Sequence, residues 1–328
     1  VVGGARFAVV DPEAEPPVVV DDDRFTVARY GLDGDLDTTF ATNGWTTIPL
    51  DDVDEPGNAI AVALDADGMI VVVGTVTDLA TRTVTSGKGK NRTTTQETVR
   101  DGTRIAVVRL DADGTLDTAF DGDGIRLIDI AGCTDEIARS IHVLADGDLV
   151  IGGGGSFASA SSGGGKKGRN NSGNVSGGTF LTRLDSDGGF DSTFGNGAPV
   201  THNADGANNG IAIHGMGIQA SAGRVVALGL DDVVRAYDLD TGEVDSTFGS
   251  SGAVTPPEGD RWLRLVAADA DETILVCGQR SGDGLVLRID ADGGDDDGGY
   301  VTSLTSNSHF NALGIDGLGR VVAGGHAD

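Results

Sequence analysis

The chain has 328 residues, and 53 of them are glycine, about one in six where ~7% is usual. Its 43 Asp, 8 Glu, 19 Arg and 4 Lys give a formal net charge of −28, while 38% of residues are hydrophobic. Glu and Lys are too scarce for long helical bundles, glycine lacks the three-residue period of collagen, and recurrent Val/Ile/Leu runs exclude an acidic disordered segment. What remains is a glycine-punctuated all-β protein.

The charge also bears on partners. A surface this acidic repels phosphates and anionic headgroups, so no nucleic acid is expected as a ligand. No apolar run reaches the ~18 to 20 residues of a spanning helix, so no membrane insertion is expected. Asp in place of Glu, with almost no Lys, fits adaptation to high salt and equally fits a turn-rich fold. Two cysteines, Cys133 and Cys277, are too few for a disulfide framework. The chain opens Val1-Val2-Gly3-Gly4 without a signal pattern, so a precursor segment is expected to have been removed or to lie outside it.

In chain order, one motif recurs. It runs Arg29-Tyr-Gly-Leu-Asp33-Gly34-Asp-Leu36-Asp37-Thr-Thr-Phe40, then Arg109-Leu-Asp-Ala-Asp113-Gly114-Thr-Leu116-Asp117-Thr-Ala-Phe120. A third copy is Arg183-Leu-Asp-Ser-Asp187-Gly188-Gly-Phe190-Asp191-Ser-Thr-Phe194. A fourth keeps Thr241-Gly242-Glu-Val244-Asp245-Ser-Thr-Phe248, and a fifth begins at Arg288 and degenerates after Gly293. Between the copies lie pairs of short strands, such as Ala59–Leu64 with Met69–Gly74 and Ser140–Leu144 with Leu149–Gly152. Later pairs are expected at 211–213 with 225–229, 263–266 with 274–278, and 312–315 with 321–324. Asp-Gly between such strands signals a hairpin, because glycine takes the positive φ that tight turns demand.

Each unit thus supplies four short strands that cannot bury their apolar faces alone, so neighbours must stack. Repeated four-stranded antiparallel units describe the blades of a β-propeller. Closing glycines at 3, 74, 152, 229, 278 and 324 mark five repeats, two compact and three carrying inserts. Five blades are expected, with six blades or a slice of a longer array as alternatives. The whole of 1–328 reads as a single repeat domain with low-complexity insert loops at 5–23, 75–103 and 153–178.

The motif resembles the bacterial delta-60 repeat. That resemblance implies a β-propeller-like fold in proteins that are often large and surface-exposed. It brings no catalytic residue to carry over.

Candidate sites are few. Asp111, Asp113, Asp117, Asp121 and Asp123 crowd into thirteen residues, and Asp290, Asp292, Asp295, Asp296 and Asp297 into eight. Closely spaced carboxylates with turn carbonyls are the hard oxygen donors that Ca2+ takes, although the spacing is not an EF-hand. Against that, Asp-Gly simply makes turns while Asp37, Asp117, Asp191 and Asp245 bond nearby amides. The repeated Phe reads as a packing plug between blades. His202-Asn-Ala-Asp205 reads as a solvated loop, and the five histidines show no ligand spacing. Two inserts hold all four lysines (88, 90, 166, 167) and the glycosylation sequons at Asn91, Asn170 and Asn174. These residues point to a non-enzymatic, extracellular or cell-surface scaffold that is structural, adhesive or self-assembling. Its partners would be other proteins, copies of itself, or glycans. The alternatives are a calcium-dependent glycan- or ligand-binding propeller and, third, a lyase or hydrolase using a central channel.

Overall fold

The computed structural model describes residues 2–11, 18–50, 55–86, 93–158, 175–203, 213–229, 231–255, 260–267, 272–280, 282–294, 308–316 and 318–327. Among these, the regular elements are twenty β-strands and one short 3-10 turn, so the all-β expectation holds. The chain divides into two compact units, Val1–Ala138 and Arg139–Asp328, and each is described by itself.

The first unit holds two antiparallel sheets. One is β1 (Val2–Asp11), β2 (Val18–Ala28) and β3 (Trp45–Ile48). The other is four-stranded: β4 (Glu55–Leu64), β5 (Ile70–Ser86), β6 (Thr93–Leu110) and β7 (Ile125–Ile128), in sequential order. Phe25, Phe40, Ile48, Val72 and Val108 form one buried cluster of this unit. Burial of each such side chain contributes about 1.5–3 kcal/mol.

The second unit repeats the plan, with its first strand starting two residues before the division. β8 (Ile137–Val143), β9 (Leu149–Ala158), β10 (Val175–Leu184) and β11 (Val200–Asn203) make one four-stranded sheet. β12 (Ile213–Gln219), β13 (Arg224–Gly229), β14 (Val234–Asp238) and β15 (Ala253–Val254) make the next. β16 (Asp260–Ala267), β17 (Ile274–Arg280) and β18 (Asp283–Ile289) follow, and β19 (Ser308–Ile315) pairs with β20 (Val321–Ala327). Three four-stranded antiparallel sheets are thus present, of the form expected of propeller-like blades. Cys133 and Cys277 are free thiols.

The inserts correct the sequence reading. They were expected as loops, but their described parts lengthen a hairpin of a sheet: between the first and second strands for 5–23, and between the second and third for the other two. β1 pairs with β2 from Val2↔Val27 out to Asp11↔Val18, across most of 5–23. β5 and β6 stay paired from Ile70↔Leu110 to Ser86↔Thr93, with one irregularity at Asp78/Leu79. β9 and β10 pair from Leu149↔Leu184 to Ala158↔Val175. The physical reason is clearest in 75–103. Its threonines and valines are β-branched, and the ribbon grows from a base already anchored in the core. Residues 12–17, 87–92 and 159–174 lie outside the described residues, and with them Asn91, Asn170 and Asn174. A smaller correction concerns 211–213: the strand is Ile213–Gln219, and residues 211 and 212 are not described.

Candidate functional site

The repeated motif builds one local structure several times. In the second copy, the Asp111 amide donates to the Thr115 carbonyl and the Gly114 amide to that of Asp111. Gly114 sits at φ +92°, a value glycine adopts without steric cost. The chain then returns: the Asp117 amide donates to Arg109, the Phe120 amide to Asp117, and the Gly124 amide to Phe120. Asp117 Oδ1 accepts from the Ala119 amide at 3.0 Å, and Asp117 Oδ2 meets Arg109 Nε at 2.6 Å. The Arg109 guanidinium lies 4.8 Å above the Phe120 ring, which is fully buried. A cation over an aromatic face is favoured electrostatically, and burial of the ring adds the hydrophobic contribution.

This unit reaches forward to the next repeat. In the first unit, the Ala41 amide donates to the Asp113 carbonyl at 2.8 Å, and Arg29 Nη1 donates to the Ala112 carbonyl at 2.5 Å. Phe40 fills the space beneath Gly114, where a Cβ would come within 2.8 Å of the ring. The second unit shows the same clasp twice. The Gly195 amide donates to Thr241 and the Gly249 amide to Asp292. Arg183 Nη1 donates to Leu239 and Arg224 Nη1 to Ala291, both at 3.3 Å. A Cβ on Gly242 would lie 2.7 Å from Phe194, and one on Gly293 would lie 2.6 Å from the Gly249 nitrogen. Reading the Phe as a packing plug between repeats therefore agrees with the structure.

Arg224 was not recognised in the sequence. The fourth copy carries Ala236 where the others carry arginine: its amide bonds Gly252 as that of Arg109 bonds Gly124. The cation comes from the start of the neighbouring strand, where Arg224 pairs in register with Asp238. Arg224 Nε meets Asp245 Oδ2 at 3.0 Å, and its guanidinium lies 5.7 Å from the Phe248 ring centroid. The same strand-opening position lies beside the clasp in other sheets. Asp148 contacts Arg183 there, and Thr273 accepts from Arg288.

The acidic residues considered for Ca2+ have local partners. Asp113 Oδ1 accepts from the Thr115 amide and hydroxyl at 3.0 and 2.7 Å, and these two bonds hold its carboxyl below the ordinary range. Asp111 Oδ2 accepts from the Thr115 hydroxyl at 3.3 Å. Asp121 pairs with Arg126 at 2.9 Å, and Asp123 accepts from the Ile125 amide at 2.8 Å. Asp290 closes the fifth turn through its backbone, and Asp292 accepts from the Gly294 amide at 3.1 Å. Asp295, Asp296 and Asp297 lie outside the described residues.

Among the described residues, carboxylate oxygens do converge at Asp148, Asp185 and Asp191, all within 4.8 Å of one another. Arg183 stands beside it, with Nη2 at 2.8 Å from Asp148 and 3.2 Å from Asp146, and Nε at 3.1 Å from Asp191. Burial opposes the charge of Arg183, but the hydrogen bond and charge of Asp148, with Asp191 and Asp146, hold its pKa above the usual value. Burial, then the charges of Asp148, Asp191 and Asp187, push the Asp185 carboxyl up. For Asp191, the Thr193 amide and hydroxyl and then Arg183 outweigh burial and push it down. Asp146 and Asp148 belong to the preceding turn, so no local spacing announced this cluster.

Two further groups stand apart. His202 is on β11 rather than in a loop, with its ring 4.8 Å from that of Tyr237. Burial and Arg235 lower the His202 pKa, while burial pushes Tyr237 up to about 12. Glu136 is 1% exposed, with Oε1 taking the Ile130 amide at 3.3 Å and Oε2 unpaired, and burial raises its pKa.

Residues 95–120, all of β6 but its first two residues, together with the second motif, match a family model described as a domain of unknown function (DUF5122) beta-propeller. The chain is therefore similar there to a β-propeller family. No curated protein sequence matches it. Among solved structures, it is similar to a gluconolactonase from Xanthomonas campestris at 13% identity and TM-score 0.37, over 83% of this chain and 96% of that one. It is also similar to Saccharomyces cerevisiae Sqt1, at 9% identity and TM-score 0.38 over 86% and 72%. A Bacteroides thetaiotaomicron protein of unknown function aligns at 11% identity and TM-score 0.25, over 83% and 82%. With TM-scores this low, none of the three bears on the activity of this chain.

Proposed function

We propose that the chain is a non-enzymatic β-propeller scaffold of the delta-60 type, built from five blades and displayed outside the cell as a structural, adhesive or self-assembling module. One observation carries this reading. In each of the three clasps, the arginine and the residue after the phenylalanine bond carbonyls of the next turn, and the aspartate holds the arginine in place. The most regular side chains of the sequence therefore serve cohesion between repeats, and the acids of the turns are occupied by amides, hydroxyls and guanidinium groups. The lysines of the inserts, in a chain of net charge −28, favour contact with other acidic copies of the chain.

Imaging of the purified chain by electron microscopy tests the architecture and its assembly. Discrete rings with five-fold modulation, alone or joined in series, are expected; particles without blades overturn the reading. Melting in the presence of a chelator addresses the calcium-dependent alternative. No fall that added Ca2+ restores is expected for the scaffold, and a fall of several degrees that Ca2+ reverses but Zn2+ does not would put the calcium-binding propeller in its place.

A further inference from the structure

The last described sheet pairs β19 with β20, and its register sets His309 directly opposite His326. Residues opposite one another in an antiparallel pair share a face, with Cβ atoms about 4.5–5.5 Å apart. Phe310, the next residue, is buried in a cluster with Cys277 and Val286. Strand alternation therefore turns the two imidazoles to the opposite face, where His309 is half-buried and His326 exposed. Their ring centroids lie 5.8 Å apart, with planes inclined at 48°.

That separation suits a shared ion. Two imidazoles binding one tetrahedral ion, each through a nitrogen about 2.0–2.1 Å away, have centroids roughly 5 Å apart. A small side-chain rotation closes the difference. Imidazole nitrogen suits Zn2+, Ni2+ and Cu2+, whereas Ca2+ and Mg2+ take oxygen ligands. The acidic body raises the local concentration of any cation.

We propose that His309 and His326 form a two-histidine site for a divalent transition-metal ion, with water completing its coordination. The ion clips β19 to β20 at the open end of their hairpin, one pair in from Ser308↔Ala327 and remote from the Asp316–Arg320 turn. Among the described residues no third strand joins β19 and β20, so a cross-link at the open end of their hairpin stabilises the pair. The site is distinct from the carboxylate turns and needs no convergent acidic cluster.

Calorimetric titration of the full chain with ZnCl2, in excess Mg2+ to occupy the carboxylates, tests this. One ion per chain is expected, with a melting temperature raised by a few degrees. His309→Ala and His326→Ala are each expected to weaken binding at least tenfold and to abolish the rise, while His214→Ala leaves both unchanged. Cu2+ electron paramagnetic resonance is expected to show coupling to imidazole nitrogen that the double variant loses. Melting of the metal-free variants at the parent temperature confirms that they fold. Absence of Zn2+ binding, or parental affinity in His309→Ala, overturns the proposal.

Discussion

Two copies of the motif reach the same arrangement of cation, carboxylate and ring from different sequences. Around Phe120, the cation is Arg109, which opens the motif and pairs with Asp117 eight residues later. Around Phe248, the motif position is Ala236, which is fully buried, and Arg224 on the adjacent strand supplies the guanidinium. The spacing of the motif is one route to an arrangement that the sheet can also assemble across its ladder. What both require is a cation that touches the carboxylate and the ring together.

The ring should matter most in both. Phe120→Ala and Phe248→Ala each remove a fully buried side chain, and each is expected to cost about 3–5 kcal/mol in denaturant unfolding. Similar losses at the two sites would show that the borrowed arginine leaves an equivalent core. A loss at Phe248 under half that at Phe120 would break the equivalence.

Next come the cations. Arg109→Ala and Arg224→Ala each leave a largely buried carboxylate without its ion pair, and roughly 1.5–3 kcal/mol should be lost. Arg224 also donates to the Ala291 carbonyl of the next turn. Its removal is therefore expected to raise hydrogen exchange in 290–294 as well as around Phe248. Unchanged exchange there would remove the forward half of the clasp.

The carboxylate adds a pH signature. In Asp245, the Thr247 hydroxyl, followed by the Thr247 amide and Arg224, outweighs burial and lowers the pKa in the fold. A depressed folded pKa means that the unfolded chain binds the proton first. The contribution of Asp245 is thus complete above the ordinary Asp value near ~3.9 and is lost as pH falls through that value and the folded one. Asp245→Asn should cost about 1–2 kcal/mol at neutral pH. The gap between variant and parent should narrow in acid, and a gap that persists below pH ~3 would show that the charge is not what the clasp uses.

Much of this was legible in the sequence because the repeat imposes it. Asp-Gly turns, apolar strands ending in glycine, and a recurrent Phe under the neighbouring turn all follow from local chemistry repeated at intervals. Three things were hidden. The ribbon of 75–86 with 93–103 looked like part of a polar loop, because its strand character comes from cross-strand pairing on an anchored base rather than from apolar alternation. Arg224 lies twenty-one residues before Asp245, and only the β13–β14 register brings them together. His309 and His326 are likewise joined by register alone.

The smallest expected effect concerns the turn of the first repeat. Gly34 has φ +85°, close to that of Gly242 at +74°, yet nothing lies within 4 Å of where its Cβ would be. Leu32, two residues earlier in the same turn, is fully exposed. Gly34→Ala therefore bears only the backbone cost of a left-handed residue, about 1–2 kcal/mol. Gly242→Ala bears the same backbone cost plus a collision with the Phe194 ring and the Val200 methyl. The difference between the two substitutions measures the contact of this turn with the Phe194 ring and the Val200 methyl together. Equal losses would mean that the turn of the first repeat is covered as tightly as the turn of the fourth.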